Sequence, residues 1–150
     1  MFNTEYVLKK LKKKIGVDLF ELLVELNAMI VGGALTSILT NKDINDFDIY
    51  FKKKDDLCKF LHEAKYEVTG GQYRFICNTD KSVTFSLQGS DITLQLIHQN
   101  YYENIDQVFS DFDFTINMIG YDFGEDEFVY HEESMQHLAQ RQLRSEERRV

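Results

Sequence analysis

The chain has 150 residues, 43% hydrophobic and 28% charged, with a formal charge of −8 and no proline or tryptophan. That length suits one domain burying about 68–70% of its unfolded surface, and the composition excludes a wholly disordered or Pro-rich chain. The negative balance argues against autonomous, high-affinity binding to a nucleic-acid backbone, and no run approaches the ~18 apolar residues of a membrane span.

The first residues, Met1 to Glu5, lead into lysines rather than an apolar stretch, so no signal peptide is expected. Residues 5–27 read as helical: Val7, Leu8, Leu11 and Ile15 form an apolar stripe, and Lys9, Lys10, Lys12, Lys13 and Lys14 cover the remaining surface. A break at Gly16-Val17-Asp18 lets Asp18 cap a second helix. Ala28 to Val31 is a short apolar run ending in Gly32-Gly33, a buried strand entering a turn, and 34–40 resumes a helical pattern. Asp46-Phe47-Asp48-Ile49-Tyr50-Phe51 alternates with the period of a strand. Asp55-Asp56 caps a helix to about Lys65. Strands are expected near 66–69, 73–77, 82–88 and 91–98, the first two joined through Gly70-Gly71. A helix over 101–109, an alternating strand over 112–123, a short strand at 127–130 and a helix from about Glu133 complete the series. The tail, Arg141 to Val150, is charged and reads as a frayed, cut end. The expectation is a single domain over 1–150, an α+β fold with one mixed sheet flanked by helices. Cys58 and Cys77, with no CxxC, read as reduced, buried thiols of a cytoplasmic protein.

Chemistry concentrates in two places. Gly32-Gly33 between strand and helix lets the backbone approach a ligand, with helix amides aimed at a phosphate; the pair also suits a plain turn. Asp46 and Asp48 stand at i and i+2 of a strand, so both carboxylates share one face while Phe47, Ile49 and Phe51 enter the core. Such a pair repels unless a cation sits between the carboxylates. Mg²⁺ or Mn²⁺ suits it, being held by one or two carboxylates with water and substrate phosphates in the remaining positions. Lys52, Lys53 and Lys54 follow that strand, near where a triphosphate would lie. The four histidines show no metal spacing, and His98 reads as a surface or half-buried side chain. The N-terminal lysines read as a solvated helix face, with steering of an anionic partner as the alternative.

Together the Gly-Gly turn and the Asp-x-Asp strand resemble the nucleotidyltransferase superfamily with the polymerase-β-like fold. The stretch from Phe112 to Asp122 is similar to the Arg-Arg-Asp-Phe-Thr-Ile-Asn-Ala segment in the catalytic head of tRNA nucleotidyltransferases and bacterial poly(A) polymerases. Leu138 to Arg144 resembles the helix that follows the head-domain sheet, so the likeness spans roughly 28–144. It implies transfer of a nucleoside monophosphate from an NTP to an RNA or protein hydroxyl, with pyrophosphate released. Asp46 and Asp48 would hold the ions, Gly32 and Gly33 would cradle the β- and γ-phosphates, and Asp113 with Asn117 would line the sugar or base pocket. Asp113, Thr115 and Asn117 share one strand face, a row of hydrogen-bonding groups fit for a pocket wall.

The chain also departs from that pattern. Thr36 and Ser37 stand where the family carries an Arg and an Asp, and Asp111 and Phe112 replace the two arginines. On the strand from Asp91 to Ile97, Gln95 holds the place of a third carboxylate; Asp91 shares its face at the strand's start. The competing expectation is therefore a module that keeps the fold and a nucleotide site but has lost turnover, acting as a regulatory protein partner.

Overall fold

A computed structural model describes residues 4–39, 46–67, 73–111 and 119–130. Two helices lead: α1 (Thr4–Ile15) and α2 (Val17–Glu25). They bury Val7, Leu11 and Ile15, then Leu19 and Leu23, on one apolar stripe. The break lies at Gly16, whose φ of 94° favours glycine. Gly16 is also the N-cap of α2, without a side-chain hydrogen bond, so Asp18 falls in the first turn instead of capping it. There it interacts favourably with the helix dipole.

The strand β1 (Met29–Gly32) runs into α3 (Gly33–Leu39), and β2 (Asp46–Tyr50) is followed by α4 (Lys54–Glu67). Tyr66 and Glu67, expected to open a strand, belong to α4 instead, and the remainder of that strand with the Gly70-Gly71 turn lies outside the described residues. The hairpin that forms joins β3 (Tyr73–Asn78) to β4 (Ser82–Leu87). Its turn closes on Thr79, whose hydroxyl oxygen accepts the Lys81 and Ser82 amides at 3.2 and 3.1 Å. The His98 ring reinforces that turn, its Nε2 lying 3.0 Å from the Thr79 carbonyl oxygen. β5 (Thr93–Ile97), α5 (Ile105–Asp111), β6 (Ile119–Asp122) and β7 (Glu127–Tyr130) follow.

The seven strands form one mixed sheet, ordered β3-β4-β5-β2-β1-β6-β7. β2 and β5 are parallel, and every other neighbouring pair is antiparallel. One face is the main core. Ile30, Phe47, Ile49, Phe85, Leu94 and Leu96 pack there with the apolar stripes of α1 to α4. Phe60 of α4 sits at its centre, edge-on to Phe51 and Tyr73. Among the described residues, the opposite face is covered only in part. Ile105, Val108 and Phe109 of α5 pack with Met29, Val31 and Tyr50. Gly120 permits this, because a Cβ there would lie 2.6 Å from Ile105 Cγ2. Beyond α5, that face is polar.

Both cysteines are exposed, not buried as expected. Cys58 is on the outer side of α4, in a cleft with Leu22, Leu26 and His62, and Cys77 lies past a bulge on the edge strand β3. Neither is in a position the apolar core needs. Of the strand expected over 112–123, β6 is the part described; residues 112–118 and everything from 131 onward, including the final helix and the tail, lie outside the described residues.

Candidate functional site

Alternation along β2 does what its sequence dictates. Phe47, Ile49 and Tyr50 are buried, Asp46 is exposed and Asp48 half-buried. Phe47 and Ile49 anchor the strand in the core, which forces both carboxylates onto the opposite, partly open face. Gly32 closes the site from β1. Its φ is 125°, a conformation that L side chains rarely adopt, and a Cβ built there would stand 3.7 Å from Asp48 Oδ2. The Gly-Gly turn and the carboxylate strand, separate in sequence, thus meet at one point.

Register sets the next strand beside β2. Asp46 pairs with Thr93 and Asp48 with Gln95 across the parallel β2–β5 ladder. Gln95 is therefore the neighbour of Asp48 on the same face. Asp91 is exposed in the turn before β5 and off that strand face. The ladder continues into β4, with Thr93 opposite Ser86 and Gln95 opposite Thr84. It reaches β3 at Arg74 and Cys77. Two polar rungs thus cross four strands from the carboxylates to the sheet edge, a pattern invisible until the strands are paired.

Electrostatics single out Asp48. Its pKa is raised from the ordinary 3.8, first by burial and then by the charge of Asp46. Tyr50, two residues on, is pushed above its usual 10.0 by burial and by Asp48. An oxygen-donor pair under mutual repulsion, beside a neutral amide oxygen at Gln95, fits a hard divalent cation such as Mg²⁺ or Mn²⁺. Among the described residues no group of three or more His, Cys, Asp or Glu side chains gathers for a metal.

Lys52 has a different partner from the phosphate expected for it. Its Nζ lies 2.9 Å from Asp122 Oδ2, in a pair whose side chains are 19% and 6% exposed. Asp122 Oδ1 also accepts the Gly124 and Glu125 amides at 3.0 and 3.1 Å. The pair ties the end of β2 to the β6–β7 turn across β1. The Asx-turn spacing from Asp122 to Glu125 is the one sequence signal for this clasp, and its cation could be found only in three dimensions. Lys53 and Lys54 are exposed beyond the C-terminal end of β2. Thr36 is buried in α3, and Ser37 donates its hydroxyl to the Gly33 carbonyl at 2.9 Å. Asp113, Thr115 and Asn117, expected to line the pocket, lie outside the described residues. The lysines of α1 belong to a helix packed on the other face of the sheet, with Lys12 over the Phe20 ring.

Solved structures share this architecture. A Thermotoga maritima CCA-adding enzyme complexed with tRNA superposes with a TM-score of 0.63 at 18% identity, over 90% of this chain and 33% of that one. CCA-adding enzymes in complex with ATP and with CTP give TM-scores of 0.61 and 0.62 at 18% and 19% identity. They cover 87% and 89% of this chain, and 34% of each of theirs. The fold is that of the nucleotidyltransferases. No helix among the described residues is long and apolar enough to cross a membrane. In sequence, a Gabija anti-defense 2 protein of Bacillus phage SPbetaL7 is 35% identical over 135 residues. The match takes in 90% of this chain and 32% of that protein, so the chain spans about a third of its relative's length. The family model described as Gabija anti-defense 2 matches residues 2–141, and the chain belongs to the Gabija anti-defense 2 family.

Proposed function

We propose that the chain is a metal-dependent nucleotidyltransferase module that moves a nucleoside monophosphate from an NTP to a hydroxyl and thereby serves an anti-defense role. The observation that carries this reading is the meeting of Gly32 with the Asp46–Asp48 face, where only 3.7 Å would separate a Cβ from Asp48 Oδ2. A side-chain-free backbone beside paired carboxylates leaves room for a triphosphate and its ions together. Asp46 and Asp48 would hold Mg²⁺ or Mn²⁺, with Gln95 as a neutral neighbour. When bound, the ion supplies charge neutralisation for the triphosphate and a lowered pKa for the attacking hydroxyl. Gly32 and Gly33 present the chain's amides to phosphate oxygens, and Asp113, Thr115 and Asn117 are assigned to the nucleoside end of the pocket. Thr36 and Ser37 support the turn from within α3, while Lys52 acts through its clasp with Asp122 and fixes the far end of β2.

A second reading is favoured by one specific observation: Gln95, a neutral side chain, pairs in register with Asp48. An amide orients ligands but neither neutralises a metal nor takes a proton. On that reading the module binds a nucleotide and a protein partner without turnover. The two separate in one experiment. Each α-labelled NTP is incubated with Mg²⁺ or Mn²⁺, and with pooled RNA or protein acceptors, using wild type, Asp46→Asn and Asp48→Asn. Transfer by wild type that both substitutions abolish supports the enzyme. Metal-dependent nucleotide binding without transfer supports the binding module, and transfer that survives either substitution removes the carboxylates from the mechanism.

A further inference from the structure

The two rungs that leave the carboxylates bear on the acceptor. They cross β5 and β4 to β3, three strand spacings or about 14 Å. Thr93, Gln95, Thr84 and Ser86 are uncharged, and each offers groups for hydrogen bonding. Thr84 is only 9% exposed, yet its hydroxyl and the Gln95 amide make no side-chain hydrogen bond with another described residue. Arg74, in register with Ser86, is the sole cation on these rungs; it is exposed and has no ion pair among the described residues. Of the other cations in the neighbourhood, Lys53 and Lys54 are exposed beyond the C-terminal end of β2, off the two rungs, and the rest are committed elsewhere. Lys52 is neutralised by Asp122, and the α1 lysines are carried by a helix on the opposite side of the sheet.

A nucleic-acid strand crossing this surface would set two or three phosphates along a path with two carboxylates at one end and one arginine at the other. On a chain of charge −8 that arrangement repels a polyanion. Three hydroxyls and one amide instead match the N–H and C=O groups of an extended polypeptide. Resting on the transferase reading above, we propose that the acceptor is a protein hydroxyl, presented by an extended segment that lies across β2, β5, β4 and β3. Its Ser, Thr or Tyr oxygen faces Asp46 and Asp48, and an acidic side chain about four residues away pairs with Arg74, as ~14 Å at ~3.3 Å per residue requires. In the transfer the hydroxyl oxygen forms a bond to the α-phosphorus as that phosphorus loses its bond to the bridging oxygen. Pyrophosphate leaves with the electron pair, and the hydroxyl proton passes to solvent.

The test uses the full chain, α-labelled NTPs with Mg²⁺ or Mn²⁺, and three acceptor arms: total RNA, a tRNA pool, and peptides with one fixed hydroxyl residue and an acidic residue scanned from two to six positions away. Label is expected in peptide, with KM lowest for an acidic residue near the fourth position. Arg74→Glu should raise that KM about fivefold, the size of one exposed ion pair, with kcat unchanged. A peptide carrying Lys in place of the acid should restore the KM of the Arg74→Glu protein. Label in RNA but not peptide overturns the acceptor assignment and leaves the transferase reading standing. Peptide labelling indifferent to Arg74→Glu overturns the docking path. Label in neither overturns the acceptor assignment and the transferase reading together: stabilisation by metal and NTP then leaves the non-transferring binding module, and no stabilisation removes the nucleotide site as well.

Discussion

Replacing Asp48 by Asn should make the metal-free protein more stable and, in the same step, inactive. Burial and the charge of Asp46 hold the Asp48 pKa above 3.8 in the folded state. Between 3.8 and that higher folded value the folded protein binds more protons than the unfolded chain, so stability falls as pH rises through the window. At neutral pH the whole penalty is present. Carboxylates at i and i+2 of a strand stand about 6.6 Å apart, and Coulomb's law with an effective dielectric of roughly 40–80 gives ~0.6–1.3 kcal/mol of repulsion. Asp46 is exposed, so screening holds the net effect to about 0.5–1 kcal/mol. For a domain of this size, that is a rise of roughly 1–4 °C in Tm at pH 7 in EDTA. At pH 3 both proteins carry a neutral group at this position, and the difference should disappear. Thermal melts at pH 3, 5 and 7 read all of this. An Asn variant that is less stable than wild type at pH 7, or equally stabilised at both ends of the range, would refute the argument that this carboxylate pair costs folding energy.

Three further outcomes follow from the same geometry. Mg²⁺ or Mn²⁺ with an NTP should stabilise wild type by about 1.4 kcal/mol at ten times the dissociation constant, a Tm rise of roughly 3–6 °C, and leave the Asp46→Asn/Asp48→Asn protein unmoved. Gln95→Asp should lower metal-free stability and tighten divalent-metal binding, seen by titration calorimetry; unchanged affinity would separate Gln95 from the ion's surroundings. Lys52→Met should cost about 1–3 kcal/mol in urea unfolding, because Asp122 keeps its two backbone amides but loses its counter-charge. The same substitution should leave the metal-and-NTP shift intact, and loss of that shift would return Lys52 to the phosphates.

Local pattern along the chain was enough for the pieces whose periodicity is strong. The α1 stripe of Val7, Leu11 and Ile15, the Phe47–Ile49 alternation and the Gly32 turn all lie where apolar spacing and glycine put them. The carboxylate face followed directly, since a strand whose alternate residues Phe47 and Ile49 enter the core has only one way to orient Asp46 and Asp48. Local pattern misled where long-range burial decides. Tyr66 and Glu67 read as the start of a strand but extend α4, and the cysteines are hydrophobic enough for a core that does not use them.

Pairing decided the rest. That Gln95 stands beside Asp48, and that Thr93, Ser86 and Arg74 extend the rung from Asp46, depends on a parallel register between β2 and β5 and antiparallel ones beyond. A slip of one residue would turn each of those side chains to the opposite face. Lys52 met Asp122 for the same kind of reason: β1 lies between β2 and β6, bringing together residues 70 positions apart. Alternation along one strand establishes which side chains share a face, but only the packed sheet, which pairs strands by burying their apolar sides together, establishes which faces adjoin.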